Sequence, residues 1–177
     1  MKNALKHLAV LVAAAAVLAG LRMGLAGTAA ANREAEAAEM MGLLLPGSAS
    51  FTPEAYDGED ANITAVYKGD TGYVVETTTA GYVDDVVLWV GVSNEGKVTG
   101  LSARELHETF GLGQGAMSNV DFMGQFVGTS GDAAVGETVD ALTGATVTSK
   151  AVAKGVNSAV AFVTGADVSS SATEWEG

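Results

Sequence analysis

Residues 139–152 read VDALTGATVTSKAV and gather an aspartate, Asp140, with four hydroxyl side chains, Thr143, Thr146, Thr148 and Ser149. Hydroxyls at such spacing can hold a phosphate, accept a phosphoryl group, or cap a helix. Apolar residues recur at helical spacing after Thr146, which puts the cluster at a helix start. There the first N–H groups lack partners and the dipole presents its positive end, a natural seat for a phosphate. Gly144 and Ala145 let the backbone approach such a group closely. Threonine and serine are equally the preferred N-caps, and capping explains one or two of the four. Residue chemistry alone leaves both readings open. A nucleotide P-loop is excluded, because Ser149 precedes Lys150 instead of following it and the second glycine before the lysine is missing.

Few other residues carry chemistry. The chain has no cysteine and two histidines, His7 and His107. That removes disulfides, iron–sulfur clusters and thiolate zinc sites, and makes an imidazole metal centre improbable. No catalytic or metal-ligating residues are expected, and any redox chemistry must come from an organic cofactor. A formal net charge of −12 argues against nucleic acid as partner.

The elements that position the cluster follow from patterning. Residues 1–31 carry Lys2 and Lys6 ahead of an apolar run that reaches the ~20 residues a bilayer needs, with Arg22 near its far end. One N-terminal transmembrane helix is expected, with a cleaved signal segment as the rival, since Ala29-Ala30-Ala31 suits cleavage. Residues 32–60 read as a helical stalk, ended by Pro46, and a loop or linker from Gly47 to Asn62. From Ile63 the texture is β: two strands around Gly69-Asp70, a near-continuous apolar strand DDVVLWVGVS, a turn at Asn94–Gly96, and a strand KVTGLSAREL. The apolar strand predicts a central position covered on both faces, with helices packed against the sheet. A short helix is predicted with Val120, Met123, Phe126 and Val127 on one stripe, then a strand at ETVDALT. A long amphipathic helix follows, bearing Val147, Ala151, Val152, Val156, Ala159, Val160 and Val163 and closing at Gly165. Residues 61–166 therefore form one α+β domain, a twisted, mainly antiparallel sheet with a few packed helices, and 167–177 a polar tail.

Asp140-Ala141-Leu142-Thr143-Gly144-Ala145-Thr146 resembles the flavinylation motif of the FMN-binding domain family. In that family the last threonine is esterified by the phosphate of FMN, by a dedicated flavin transferase using FAD. The resemblance implies covalent FMN on Thr146, with Asp140, Thr143, Gly144, Ala145 and Thr148 around its phosphate. A second segment, HETFGLGQ at residues 107–114, resembles the family's ring-pocket loop, with Phe110 in place of the usual proline. It implies that Glu108, Thr109, Gly111, Leu112 and Gly113 line the isoalloxazine site; two glycines there allow close approach and Leu112 offers an apolar face. DFMGQF, residues 121–126, resembles the family more weakly. Trp89 reads as a core residue.

Within the family the likeness is nearest to the G-subunit branch of Rnf-type electron-transport complexes. It implies a single-pass inner-membrane protein whose domain lies outside the cytoplasm and relays single electrons. Its partners would be the other membrane subunits of a complex that couples ferredoxin and NAD+ oxidoreduction to ion movement, with the flavin transferase during maturation. The rivals are a stand-alone exported flavoprotein that feeds an extracellular reductase, and an anchored binding or scaffold module whose threonines only cap.

Overall fold

The computed structural model describes residues 31–106 and 118–166. The chain divides into two compact units, Met1–Glu39 and Met40–Gly177. In the first, residues 31–39 are helical and largely exposed. The expected transmembrane span lies outside the described residues, among which no helix is long and apolar enough to cross a membrane.

The second unit is organised by an antiparallel five-stranded sheet in the order β1 to β5: β1 Thr52–Glu54, β2 Ile63–Lys68, β3 Gly72–Ala80, β4 Asp85–Ser93 and β5 Val98–Leu106. The four β-patterned segments from Ile63 to Leu106 fold as expected, and each pairs with its sequence neighbour across a short turn. The stretch read as a loop contains β1. Its short length and central Pro53 make it an edge strand that cannot extend the ladder further.

The helices are α1 (residues 31–44), α2 (Val120–Gly124) and α3 (Thr146–Thr164). α3 packs on β2, β3 and β4. Alternation along β4 sends Val86, Leu88, Val90 and Val92 into that contact, where they meet Val152, Val156 and Val160 in one core. Three contacts align α3 against β3 in opposite directions. Tyr73 meets Phe162 edge-on at 5.5 Å, Gly155 backs onto Thr77 so closely that a Cβ would lie 2.6 Å from its Oγ1, and Thr79 Oγ1 donates to the Ala151 carbonyl at 2.9 Å. The N-terminus of α3 therefore lies at the end of the sheet where β3 finishes. Through the pairs Thr79↔Val86 and Val86↔Leu106, β5 finishes there too.

The second face is covered too, by the end of a helix rather than by its length. The last turn of α1 brings Met41, Leu44 and Leu45 onto it, all buried. Leu44 sits over Gly91 and Gly100, which pair directly across β4 and β5. A side chain at Gly91 would strike the Leu44 carbonyl, and Thr99 Oγ1 donates to that oxygen at 2.5 Å. Beyond it the face closes over Trp89, whose Nε1 donates to Glu76 Oε2 at 2.8 Å beneath the Arg104 guanidinium, 4.1 Å from the ring centroid. Trp89 is a buried residue, as expected.

α2 buries Phe122, and the turn after it buries Phe126, while Val120 is 82% and Val127 50% exposed. The regular helix ends at Gly124, so a 3.6-residue stripe cannot run on to Val127. ETVDALT forms no strand: Val139 makes one isolated bridge with Val135, and the surrounding residues are turns.

Thr77 generates a prediction. Its Oγ1 is buried without a hydrogen-bond partner. Thr77→Val removes a desolvated hydroxyl at nearly constant volume and is expected to raise unfolding stability by about 1 kcal/mol, read from the urea midpoint.

Candidate functional site

The chain enters α3 through a tight turn. The Ala145 N–H donates to the Leu142 carbonyl at 2.9 Å, and Gly144, at φ 81°, supplies the left-handed residue that such a turn requires. Ser149 reaches back from inside the helix to lock it. Its Oγ donates to the Ala145 carbonyl at 2.8 Å and accepts the Leu142 N–H at 3.2 Å. That hydroxyl is fully buried, so its role is internal.

None of the hydroxyls caps the helix. The N-cap is Ala145, without a side-chain cap hydrogen bond, and the first turn contains no acid. The first helical bond is Ser149 N–H to Ala145 O, so the N–H groups of residues 146–148 have no acceptor inside the helix. Thr146, at the first helical position, and Thr143 and Gly144 in the turn are exposed. Thr148 faces inward, 1% exposed. Capping, one of the two readings open at the sequence level, is thus not the arrangement found. Lys150 stands one turn beyond Thr146, partly exposed and with no hydrogen bond or ion pair among the described residues. Helical side chains lean toward the N-terminus, so its charge is carried toward Thr146.

The segment leading to this turn is irregular and is held by carboxamides. Asn157 of α3 accepts the Ala133 N–H at 3.1 Å and donates to the Ala133 carbonyl at 2.9 Å. Gln125, the C-cap of α2, accepts the Asp140 N–H at 2.8 Å and donates to its carbonyl at 3.4 Å. Thr138 Oγ1 donates to the Asp132 carbonyl at 2.9 Å and accepts the Ala134 N–H at 2.8 Å. These bonds take the place of the ladder that a strand at residues 137–143 would have made. Asp140 itself is exposed.

Between α2 and β5 runs a groove of about 360 Å³, lined by Leu101, Ser102, Ala103, Asn119, Met123 and Gly124 among others. α2 joins groove and turn, lining the one and holding Asp140 of the other. The Glu95 carboxyl lies below the usual carboxylate range because the Ser93 hydroxyl bonds it. It belongs to the β4–β5 turn beside Thr164, at the opposite end of α3. Among the described residues no cluster of acids or histidines could hold a metal.

The structure thus groups Asp140, Thr143, Gly144, Ala145 and Thr146 about one turn, with Ala145 buried in the core and the other four exposed. The expected ring-pocket residues Glu108, Thr109, Gly111, Leu112 and Gly113 lie outside the described residues. Sequence reasoning missed the positions that hold the turn. Asn157 carried a signal, a carboxamide on the apolar side of a predicted helix; Gln125 carried none, because its partner lies in a different element. A free helix N-terminus, an exposed hydroxyl at its first position and a bend that brings backbone close can together bind or esterify a phosphate.

Comparison with known proteins bears on which phosphate. The family model for the FMN-binding domain matches residues 81–161. The G subunit of the proton-translocating ferredoxin:NAD(+) oxidoreductase complex of Clostridium ljungdahlii is 41% identical over 109 residues, covering 56% of this chain and 58% of that one. The G subunit of the ion-translocating oxidoreductase complex of Methanosarcina acetivorans is 34% identical over 143 residues, 71% of this chain and 73% of the relative. The G subunit of the Na(+)-translocating ferredoxin:NAD(+) oxidoreductase complex of Acetobacterium woodii is 38% identical over 98 residues, 50% and 47% of the two lengths. The match thus spans about half of two relatives and nearly three quarters of the third.

The Asn157 clamp is testable by itself. Asn157→Ala leaves both backbone groups of buried Ala133 unpaired, and is expected to cost about 2–4 kcal/mol in urea unfolding.

Proposed function

The chain belongs to the FMN-binding domain family, among the G subunits of ion-translocating oxidoreductase complexes, and on that premise we propose that it carries FMN as a phosphoester on Thr146 and relays electrons within an Rnf-type complex. The observation that carries the reading is the exposed Thr146 hydroxyl at a helix N-terminus whose N–H groups no side chain caps.

The residues present fit the group. The N–H groups of residues 146–148 would hold the phosphate oxygens, Gly144 leaves room beside them, and Lys150 would offset their charge. The apolar groove along α2 is of a size for a flat ring system. Thr146 gains its substituent when its Oγ bonds to the FMN phosphorus of an FAD donor. The pyrophosphate bond at that phosphorus breaks, AMP leaves with the bridging oxygen, and the hydroxyl proton passes to solvent. Bound FMN supplies one-electron chemistry that none of the chain's own side chains provides. Everything else asked of the protein is positioning: Ser149 and Gly144 shape the turn, Asn157 and Gln125 hold its approach, and Asp140 and Thr143 frame Thr146. β5 ends at Leu106, at the end of the sheet where α3 begins, and the residues next in sequence include Glu108, Thr109, Gly111, Leu112 and Gly113, which would line the flavin ring.

The remaining parts of the reading follow from the N-terminus and the relatives. Residues 1–31 would anchor the chain in the inner membrane with the domain on the extracytoplasmic side, where a covalent link prevents loss of a cofactor that has no local supply. The partners would be the other membrane subunits of the complex, with the flavin transferase acting during maturation.

Two measurements test this. Co-expressed with flavin transferase, the denatured wild-type band is expected to fluoresce under ultraviolet light and the Thr146→Ala band to stay dark; a dark wild type would leave only a cofactor-free scaffold. Lys150→Glu is expected to slow labelling about fivefold, the equivalent of about 1 kcal/mol for reversing a charge near a helix terminus, in time courses of the same fluorescence.

A further inference from the structure

We propose that Gln125 is a positioning residue for the covalent modification of Thr146, acting by holding the Asp140 peptide; the inference rests on the phosphoester reading above. The segment before the attachment turn has three tie points. The turn at residues 136–139 closes on itself, with Gly136 N–H donating to the Val139 carbonyl at 2.8 Å. Leu142 is held by Ser149 from within α3. Between them Asp140 and Ala141 are exposed, and the hydrogen bonds that hold Asp140 to the rest of the protein come from the Gln125 carboxamide, at 2.8 and 3.4 Å.

The platform under that carboxamide is rigid. The Gln125 N–H donates to the Phe122 carbonyl at 3.2 Å, and Phe122 and Phe126 on either side are buried and meet edge-on at 5.3 Å. Gln125 thereby transmits the position of the core to an exposed acid. Its bonds are themselves exposed, and water can replace them at a cost of about 1 kcal/mol or less. Stability alone gives little reason for the contact. Geometry gives a larger one, since displacement of a reacting constellation by about 1 Å can cost on the order of a hundredfold in rate. The same helix lines the groove, so one element sets both the acid beside the phosphate and the wall proposed for the ring.

The test is the single-turnover labelling of purified full-length apoprotein by flavin transferase and FAD, followed by in-gel fluorescence, at saturating transferase. Gln125→Ala is expected to slow labelling about tenfold, with a thermal midpoint close to wild type. Gln125→Glu keeps the acceptor for the Asp140 N–H and is expected to restore most of the rate. Gln125→Met, which retains length without polar atoms, is expected to behave like the alanine variant and serves if that one fails to fold. Asp140→Asn is expected to be slow alone and no slower when combined with Gln125→Ala, because the glutamine acts through the aspartate. Wild-type rates in Gln125→Ala and Gln125→Met, or losses that multiply with Asp140→Asn, would overturn the proposal while leaving Thr146 as the attachment residue. A wild type that never labels would overturn both.

Discussion

An irregular chain that runs against a core must still satisfy its backbone N–H and C=O groups, and that requirement governs this structure. Residues 129–145 make no ladder beyond one bridge, yet they deliver the turn on which the proposed function depends. Three polar side chains from helices replace the missing strand: Asn157 on Ala133, Gln125 on Asp140 and Ser149 on Leu142 and Ala145. Two of the three lie on α3, so the helix that begins at the site also builds the approach to it.

α3 tolerates an uncapped start because its stability comes from elsewhere. A cap contributes about 1 kcal/mol, whereas each fully buried aliphatic side chain contributes roughly 1.5–3 kcal/mol, and α3 buries several against β3 and β4. The N-terminus can therefore be left open to an anion without risk to the helix. The contacts of Gly155 with Thr77 and of Thr79 with Ala151 fix how far α3 reaches along β3. They place its open end where three of the strands have their turns or ends. The attachment turn and the end of β5 at Leu106 share that end of the sheet through this one alignment.

Much of this was legible in the residues. The strands at Ile63, Gly72, Asp85 and Val98, the turn at Gly144, the start of α3 at Thr146 and its left-handed stop at Gly165 follow from local pattern, since alternation, helical spacing and glycine conformations are properties of short windows. The failures share a cause. ETVDALT has strand composition, but a strand needs a neighbour, and the Gln125 carboxamide occupies the backbone groups of Asp140. The apolar stripe through α2 broke where the helix stopped at Gly124. Cover on both faces of β4 was legible too, though only the structure shows that the end of α1 over Gly91 and Gly100, and Arg104 over Trp89, supply it on the second face.

The sequence by itself determined that a cluster of hydroxyls stands at a helix start behind a glycine turn, and the motif resemblance singled out Thr146 among them. It did not separate capping from phosphate binding, because both use the same residue types at the same spacing. Tertiary structure set the capping arrangement aside. It buried Thr148, turned Ser149 inward to lock the bend, and left Ala145 at the cap with Thr146 in solvent. Which hydroxyl is available depends on how α3 is rotated against the sheet, and that rotation is set by packing between residues far apart in the chain.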